Sequence, residues 1–267
     1  MKEIEIVKKI MSAYKDEKGI FEHLKNLLEN QIPMGVEYCS SEHADFYFYL
    51  IYNDHGTKST GLYERFKALY ENHSELFDAK YIVEKYTNKE MELYKDYLQF
   101  LGLRYPKKST QYWIYNATKL CEEFDGDTMQ LYNYTDESLQ IYKSIKSFKG
   151  YGDKTTGLLL RVIDGVGFNK KLLNFEDVPL PVDTHDTKIA IKCDLIEEFD
   201  YEKADKKKLQ KVSKIWQDAV NKTEYSWKEL DKALWILGSV GCVSKQCFIC
   251  PMVKDCKVGN AQNLLDF

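Results

Sequence analysis

The sequence predicts an all-α protein. Apolar residues recur at helical spacing along most of the 267 residues. Between these segments stand short connections that contain glycine, proline or aspartate. The longest irregular stretch is 164–181, which Gly165, Gly167, Pro179 and Pro181 interrupt. The chain shows no internal repeat, no low-complexity segment and no linker rich in serine and glycine.

Nine segments carry the helical pattern. In the clearest one, Trp113, Ala117, Leu120 and Phe124 fall on one face, and Gly126 with Asp127 closes the helix. Two of the helices are separated by a six-residue glycine-containing stretch. In chain order, we expect helices within 45–52, 61–70, 91–100, 113–124, 138–148, 155–163, 184–196, 203–221 and 227–238.

Composition places the chain among ordinary globular proteins, with 44% hydrophobic and 30% charged residues. No apolar run reaches the roughly 18 residues that a membrane span needs, and the N-terminus lacks the apolar stretch of a signal peptide. We therefore expect a cytoplasmic protein without a membrane partner. The net charge of −4 argues mildly against a nucleic-acid ligand, but lysines concentrate in 143–154 and 202–214. Each lysine-rich stretch is compatible with a DNA-facing surface or with a solvated helix face.

The first chemical motif lies between two predicted helices and reads SIKSFKGYGDKTTGLLLRVI, residues 144–163. Gly150 and Gly152 can adopt backbone angles that other residues resist, and they allow another surface to come close. Amide groups at the turn and at the start of the second helix can hold a phosphate without reading base sequence. A tight connection alone would explain two such glycines. Lys154, directly after them, makes a functional site the sharper interpretation.

The second motif is VPLPVDTHDTKIAIK, residues 178–192, in which two prolines stiffen the approach to a helix. Asp183 stands where a helix N-cap is expected, and capping is the preferred interpretation of this residue taken alone. A carboxylate beside a lysine amine has a second use, because it can stabilise a sugar cation that develops during a reaction.

The third motif is a cysteine cluster near the C-terminus. Cys242, Cys247, Cys250 and Cys256 are spaced C-x4-C-x2-C-x5-C, whereas Cys39, Cys121 and Cys193 are scattered. Without a secretion signal, disulfides are not expected. Four thiolates can hold a zinc ion or an iron–sulfur cluster, and the single C-x2-C pair favours a [4Fe–4S] cluster over zinc. Four cysteines without a metal are the remaining alternative.

Taken together, these features resemble the helix-hairpin-helix superfamily of DNA glycosylases. FLGLRYPKKSTQYWIYNATKLCEEFDGD is similar to the segment that leads to the hairpin, and FKGYGDKT to the hairpin turn with its catalytic lysine at Lys154. PVDTH resembles the segment with the family's aspartate, at Asp183. The last three cysteines resemble the iron–sulfur loop of endonuclease III. LDKALWILGS is similar to a helix of archaeal-type members, some of which are 8-oxoguanine lyases.

The resemblance implies two helical subdomains with the active site in the cleft between them. We expect one domain at 40–165, ending in the hairpin motif, and a second formed by 1–39 with 166–267, which carries the metal loop at 242–256. It implies a base-excision-repair glycosylase with AP lyase activity that acts on double-stranded DNA as a monomer. Lys154 would attack the sugar carbon of a flipped-out nucleotide, and Asp183 would assist. The residues expected to contact DNA are Lys149, Gly150, Tyr151, Gly152, Thr155 and Lys245.

Several alternatives stay open. The first cysteine interval has four residues where endonuclease III has six, and this leaves the choice between a cluster and zinc undecided. The segment between Lys154 and Asp183 is longer than in compact bacterial members, and the lesion can be 8-oxoguanine or an oxidised pyrimidine. Asn53, Asp54 and His55 stand near the position where the family inserts a residue into the DNA gap, although a plain turn is preferred there. The rival functions are a non-catalytic DNA-binding protein with a structural metal loop and a metal-sensing or redox protein.

Overall fold

A computed structural model describes residues 1–22, 27–54, 56 and 58–263. These residues form α-helices joined by short 3-10 turns, and none of them forms a β-strand. No helix in the described part of the chain is long and apolar enough to cross a membrane. The α-helices are α1 (Lys2–Lys15), α2 (Ser41–Ile51), α3 (Ser59–Asn72), α4 (Ala79–Tyr86), α5 (Glu90–Asp96), α6 (Pro106–Phe124), α7 (Thr128–Asn133), α8 (Ser138–Lys146), α9 (Asp153–Val166), α10 (Thr184–Lys192), α11 (Lys206–Val220), α12 (Trp227–Ile236) and α13 (Lys257–Asn263).

The chain divides into two compact units, Leu28–Val178 and a second unit made of Met1–Leu27 with Pro179–Phe267. The expected division lay at 40 and 165. Residues on both sides of that expected domain are tied into the Leu28–Val178 unit by specific contacts. Arg161 on α9 forms a buried ion pair with Glu29, and the Leu173 amide donates to the Asp136 carbonyl at 2.8 Å.

The core of the Leu28–Val178 unit is built around α2, which is buried on nearly all sides. A helix of this kind must be apolar around its whole circumference, and the run Phe46-Tyr47-Phe48-Tyr49 meets that requirement. Tyr49 stacks on Trp113 of α6 with ring centroids 4.7 Å apart. This packing fixes α6 and the segment after α2, both of which contact the hairpin turn.

The second unit contains α1 and α10–α13. Helix α1 was not among the predicted segments, because its charged residues obscure a narrow apolar face. That face consists of Ile6, Val7, Ile10 and Met11, all of which are buried. Trp216 of α11 is also fully buried, and its indole nitrogen donates to the Asp186 carbonyl at 3.3 Å.

The all-α prediction is confirmed, and each of the nine predicted segments overlaps a helix. The differences lie at helix ends and in short helices. Helix α10 stops at Lys192, before the predicted 196, and Asp194 takes a left-handed backbone conformation at φ 54°. The predicted helix at 227–238 changes to a π-helix at Leu237–Cys242. Helices α4 and α7 were missed because they have only eight and six residues.

Candidate active site and cysteine loop

The hairpin motif is formed by α8, a turn and α9, and one asparagine of α6 holds the turn in place. The Asn116 side chain accepts from the Lys149 amide at 2.8 Å and donates to the Lys149 carbonyl at 2.9 Å. Asn116 is fully buried, whereas the Lys149 side chain is exposed and its ammonium lies 5.2 Å from the centre of the Tyr115 ring. The turn is therefore fixed by its backbone, and the lysine remains at the surface.

The two glycines of the turn have different roles. Gly150 has φ +85°, and a Cβ at this position would lie 3.0 Å from Tyr52 and 3.2 Å from Tyr112. Gly152 has φ −86°, serves as the N-cap of α9, and has open space where a Cβ would stand. Gly152 therefore does not use the unusual backbone angles that are open to both glycines. Only Gly150 requires glycine for conformation and for space.

Two of the residues expected to contact DNA are engaged within the protein. Tyr151 is buried, and its hydroxyl donates to the Phe48 carbonyl at 2.5 Å. The Thr155 hydroxyl accepts from the Gly152 amide at 2.9 Å and so closes the first turn of α9. The structure gives these two side chains packing and capping roles. A contact between DNA and this turn remains a prediction for the backbone and for Lys149.

Lys154 lies in the first turn of α9 and is half-buried. Its ammonium donates to the Asp54 carbonyl at 3.4 Å. The Asp54 carboxylate is itself buried and accepts from the Ser59 hydroxyl at 2.9 Å and from the Tyr63 hydroxyl at 3.5 Å. The segment after α2 therefore holds the Lys154 ammonium through a backbone carbonyl. Of the three residues considered there for insertion into DNA, Asn53 and Asp54 are buried, and His55 lies outside the described residues.

The two basic stretches differ in how far their charge is balanced. In the hairpin, Lys146 forms an ion pair with Asp153, which lowers the net positive charge next to the turn. In the second stretch, α11 begins at its N-cap Asp205 and exposes five lysines to solvent: Lys206, Lys207, Lys208, Lys211 and Lys214.

Asp183 is the N-cap of α10, as its position in the sequence predicts. Its carboxylate accepts from the amides of His185 at 2.6 Å and Asp186 at 3.2 Å. The Asp186 carboxyl returns a contact by accepting from the Asp183 amide at 2.8 Å. This reciprocal capping box fixes the Asp183 carboxylate at the start of the helix. Capping and a catalytic role are compatible, because both capping amides donate to Oδ1, one of the two carboxylate oxygens.

The four clustered cysteines line one cavity of about 340 Å³, together with Lys192 and Lys245. Each thiol is half-buried. The Cys250 sulfur accepts from the Met252 amide at 3.4 Å. Burial raises the pKa of Cys250 to about 11 and that of Cys242 above its ordinary value, and the neighbouring thiols add to the shift.

The four cysteines are the residues that would hold a metal ion or an iron–sulfur cluster. Within the described residues, no three histidine, cysteine or carboxylate side chains stand close enough to hold one metal ion. A zinc site needs four sulfurs about 2.3 Å from one centre. The four cysteines line one cavity, but within the described residues their side chains are not gathered around a single centre in this way.

The sequence patterns did not reveal the polar residues that hold the Lys154 amine and the Asp183 carboxylate in place. Asp54 was considered as a turn residue or as a candidate for insertion into DNA. Its contacts with Ser59 and Tyr63 join residues five and nine positions apart. Asp186 could have been found, since an acid three residues after an N-cap is a capping-box signal. The pairing of Arg161 with Glu29 spans 132 residues and leaves no local signal.

The fold of this chain is similar to that of two solved DNA glycosylases. The chain is similar to the 8-oxoguanine glycosylase/lyase of Methanocaldococcus jannaschii, solved with a 15mer DNA containing 8-oxoguanine, at a TM-score of 0.58 and 17% identity over 88% of this chain and 97% of that one. It is also similar to the 8-oxoguanine DNA glycosylase of Thermotoga maritima, at a TM-score of 0.55 and 18% identity over 87% of this chain and 95% of that one. No family model and no curated protein matches the chain. The predicted resemblance to helix-hairpin-helix glycosylases is therefore confirmed at the level of the fold.

Proposed function

We propose that the protein is a DNA glycosylase with AP lyase activity that removes an oxidised base from double-stranded DNA. The observation that carries the proposal is the placement of Lys154: a half-buried amine in the first turn of α9, directly after a rigidly held hairpin turn. The shared fold with two 8-oxoguanine glycosylases supports it. Both of those proteins act on 8-oxoguanine, so this base is the preferred substrate.

In the proposed reaction the deprotonated Lys154 amine attacks the sugar carbon that bears the damaged base. The C–N glycosidic bond breaks, and the base leaves with the bonding electron pair and takes up a proton. Loss of a proton and ring opening then give a Schiff base between Lys154 and the sugar. β-Elimination from this intermediate breaks the 3′ phosphodiester bond. The Asp183 carboxylate would stabilise the positive charge that develops on the sugar.

DNA binding is proposed at the hairpin turn. The turn is exposed at Gly150 and Gly152, and α9 begins there with the partial positive charge of its N-terminus. Backbone amides at such a position bind a phosphate without reading the base sequence. Lys149 adds an exposed ammonium at the same place.

We also propose that Cys242, Cys247, Cys250 and Cys256 hold a [4Fe–4S] cluster, with zinc as the alternative. The cluster would supply structure and no chemistry to the reaction, because four protein thiolates leave no open coordination position. It would pin the loop after α12 and so present Lys245, which is exposed and has a left-handed backbone at φ 54°, towards a phosphate.

The proposed function is tested by incubating the protein with duplexes that each carry one lesion, 8-oxoguanine and oxidised pyrimidines among them. We expect release of 8-oxoguanine and strand cleavage by the natural protein. Lys154→Gln should abolish both, and Asp183→Asn should reduce both while DNA affinity is retained. Lys95→Gln, which changes an exposed lysine on α5 outside both lysine-rich stretches, is the matched control and should keep full activity. DNA binding without base release from any duplex would favour the non-catalytic DNA-binding protein.

A further inference from the structure

The Pro179–Phe267 part of the second unit contains three neighbouring aspartates, and two of them have no role in the proposed reaction. Asp183 lies at the start of α10, Asp186 in its first turn, and Asp231 on α12. Asp186 is 2% exposed and Asp231 is 4% exposed. Fully charged carboxylates at this depth would be costly, because burial and like charges both oppose ionisation.

The two carboxyl oxygens of Asp186 differ in their hydrogen bonding. Oδ2 accepts from the Asp183 amide at 2.8 Å. Oδ1 is buried and has no hydrogen-bond partner among the described residues. A buried carboxylate would need donors at both oxygens, whereas a carboxylic acid needs one donor and one acceptor. Asp186 has a donor at Oδ2 only, so its contacts disfavour the charged carboxylate.

Within the described part of the chain, two acidic side chains act on the Asp186 carboxyl. Asp183 faces it from its own helix and Asp231 from α12, and His185, the neighbour on α10, lies against Gly238. From α11 the contact is the Trp216 indole, which donates to the Asp186 backbone carbonyl and not to its carboxyl. Burial first, and then the charges of Asp183 and Asp231, raise the pKa of Asp186 well above its ordinary value.

We propose that Asp186 is kept as a neutral carboxylic acid that donates to the Asp183 carboxylate and holds it in place. Asp186 is then a positioning residue for the proposed glycosylase reaction, and this part of the inference rests on the proposed function. One Asp186 oxygen fixes the Asp183 backbone, and the O–H of the other fixes the Asp183 side chain. Ionised Asp186 would lose that donor and place a second negative charge beside the first.

The experiment follows the state of Asp186 directly and through activity. Carboxyl carbons of aspartate are labelled with 13C, and the Asp186 signal, assigned by its loss in Asp186→Asn, is titrated by NMR. Single-turnover base release is then measured against pH for the natural protein, Asp186→Asn and Asp186→Ala. The matched control is Asp78→Asn, which alters the N-cap of α4 in the other unit. Thermal unfolding of each variant checks that it is folded.

We expect Asp186 to titrate far above the range of ordinary carboxyls. Asp186→Asn keeps the donor and the acceptor at every pH, so it should retain base release, and its rate relative to the natural protein should rise as Asp186 ionises. Asp186→Ala should lower the rate about tenfold or more because Asp183 loses its support. Asp78→Asn should leave the pH profile unchanged.

The proposal is overturned if Asp186 titrates near pH 4, or if folded Asp186→Asn loses base release as fully as Asp186→Ala does. The NMR titration needs no activity and no variant beyond the one used for assignment. A protein that releases no base but shows a neutral Asp186 would therefore refute the proposed function while confirming the state of this residue. If Asp186→Asn does not fold, the Asp183 signals of the natural protein decide: they should shift as Asp186 ionises, and an unchanged Asp183 refutes the coupling.

Discussion

The buried ion pair between Glu29 and Arg161 allows a quantitative test of what holds the hairpin helix in place. Arg161 lies two turns after Lys154 on α9, and its Nε is 2.8 Å from Glu29 Oε1. A second contact joins Arg161 Nη2 and Glu29 Oε2 at 3.4 Å. The side chains are only 4% and 6% exposed. We expect Glu29→Gln or Arg161→Met to leave one buried charge uncompensated.

Removal of one partner from a buried pair costs about 3–5 kcal/mol, whereas replacement of both partners by apolar residues is often neutral or stabilising. Each single variant should therefore lose about 3–5 kcal/mol of unfolding free energy, and Glu29→Met/Arg161→Met should recover most of it. Urea unfolding followed by circular dichroism measures these values. Glu123→Gln is the matched control, since it breaks an exposed pair with Lys119 and should cost about 0.5 kcal/mol or less.

The reasoning is refuted if the single variants lose no more stability than Glu123→Gln. It is also refuted if the double variant loses as much as the two singles added together, because the pair would then contribute no coupling. Either result would mean that α9, and with it Lys154, is held by other contacts.

Three further predictions concern other parts of the chain. Burial raises the pKa of Asp45 to about 7, so the folded protein holds this proton at pH values where the unfolded chain has lost it. Between pH 5 and pH 8 the natural protein should therefore lose about 2–3 kcal/mol of unfolding free energy relative to Asp45→Asn. Urea unfolding at the two pH values measures this loss. Gly150→Ala should lower the free energy of unfolding by about 1–2 kcal/mol and weaken DNA binding, whereas Gly152→Ala should lower it less. The reason is that, of these two glycines, only Gly150 has a positive φ and a crowded Cβ position. Equal losses for the two variants in unfolding and binding assays would contradict this prediction. Protein purified without air should contain about four irons per chain, or one zinc. Cys250→Ala should lose the metal, and Cys121→Ala should keep it. Metal retained by Cys250→Ala would exclude this cysteine as a ligand.

Local patterns predicted the helices and the hairpin, because helical periodicity and glycine punctuation are properties of short segments. The N-cap at Asp183 followed from the same kind of signal. The contacts that support the site could not be predicted in this way. Asn116 meets Lys149 across 33 residues, and Lys154 meets Asp54 across 100. Such pairs depend on how the helices pack, and the local patterns of a single sequence give no information about that packing.

Hydrophobic patterning also does not predict which polar residues are buried. The family resemblance placed Tyr151 and Thr155 among the residues expected to contact DNA. The structure places the Tyr151 ring in the core and engages the Thr155 hydroxyl in the first turn of α9. The distinction between a polar residue that serves the fold and one that serves a ligand becomes visible only when its partner is known.

The central claim, that Lys154 is the nucleophile, is tested most directly by trapping the covalent intermediate. The protein is incubated with an 8-oxoguanine duplex and sodium borohydride, which reduces a Schiff base to a stable amine, and the adduct is located by peptide mass spectrometry. We predict a DNA adduct on Lys154 and none in Lys154→Gln. An adduct on a different lysine, or base release and strand cleavage with no adduct, would contradict the claim.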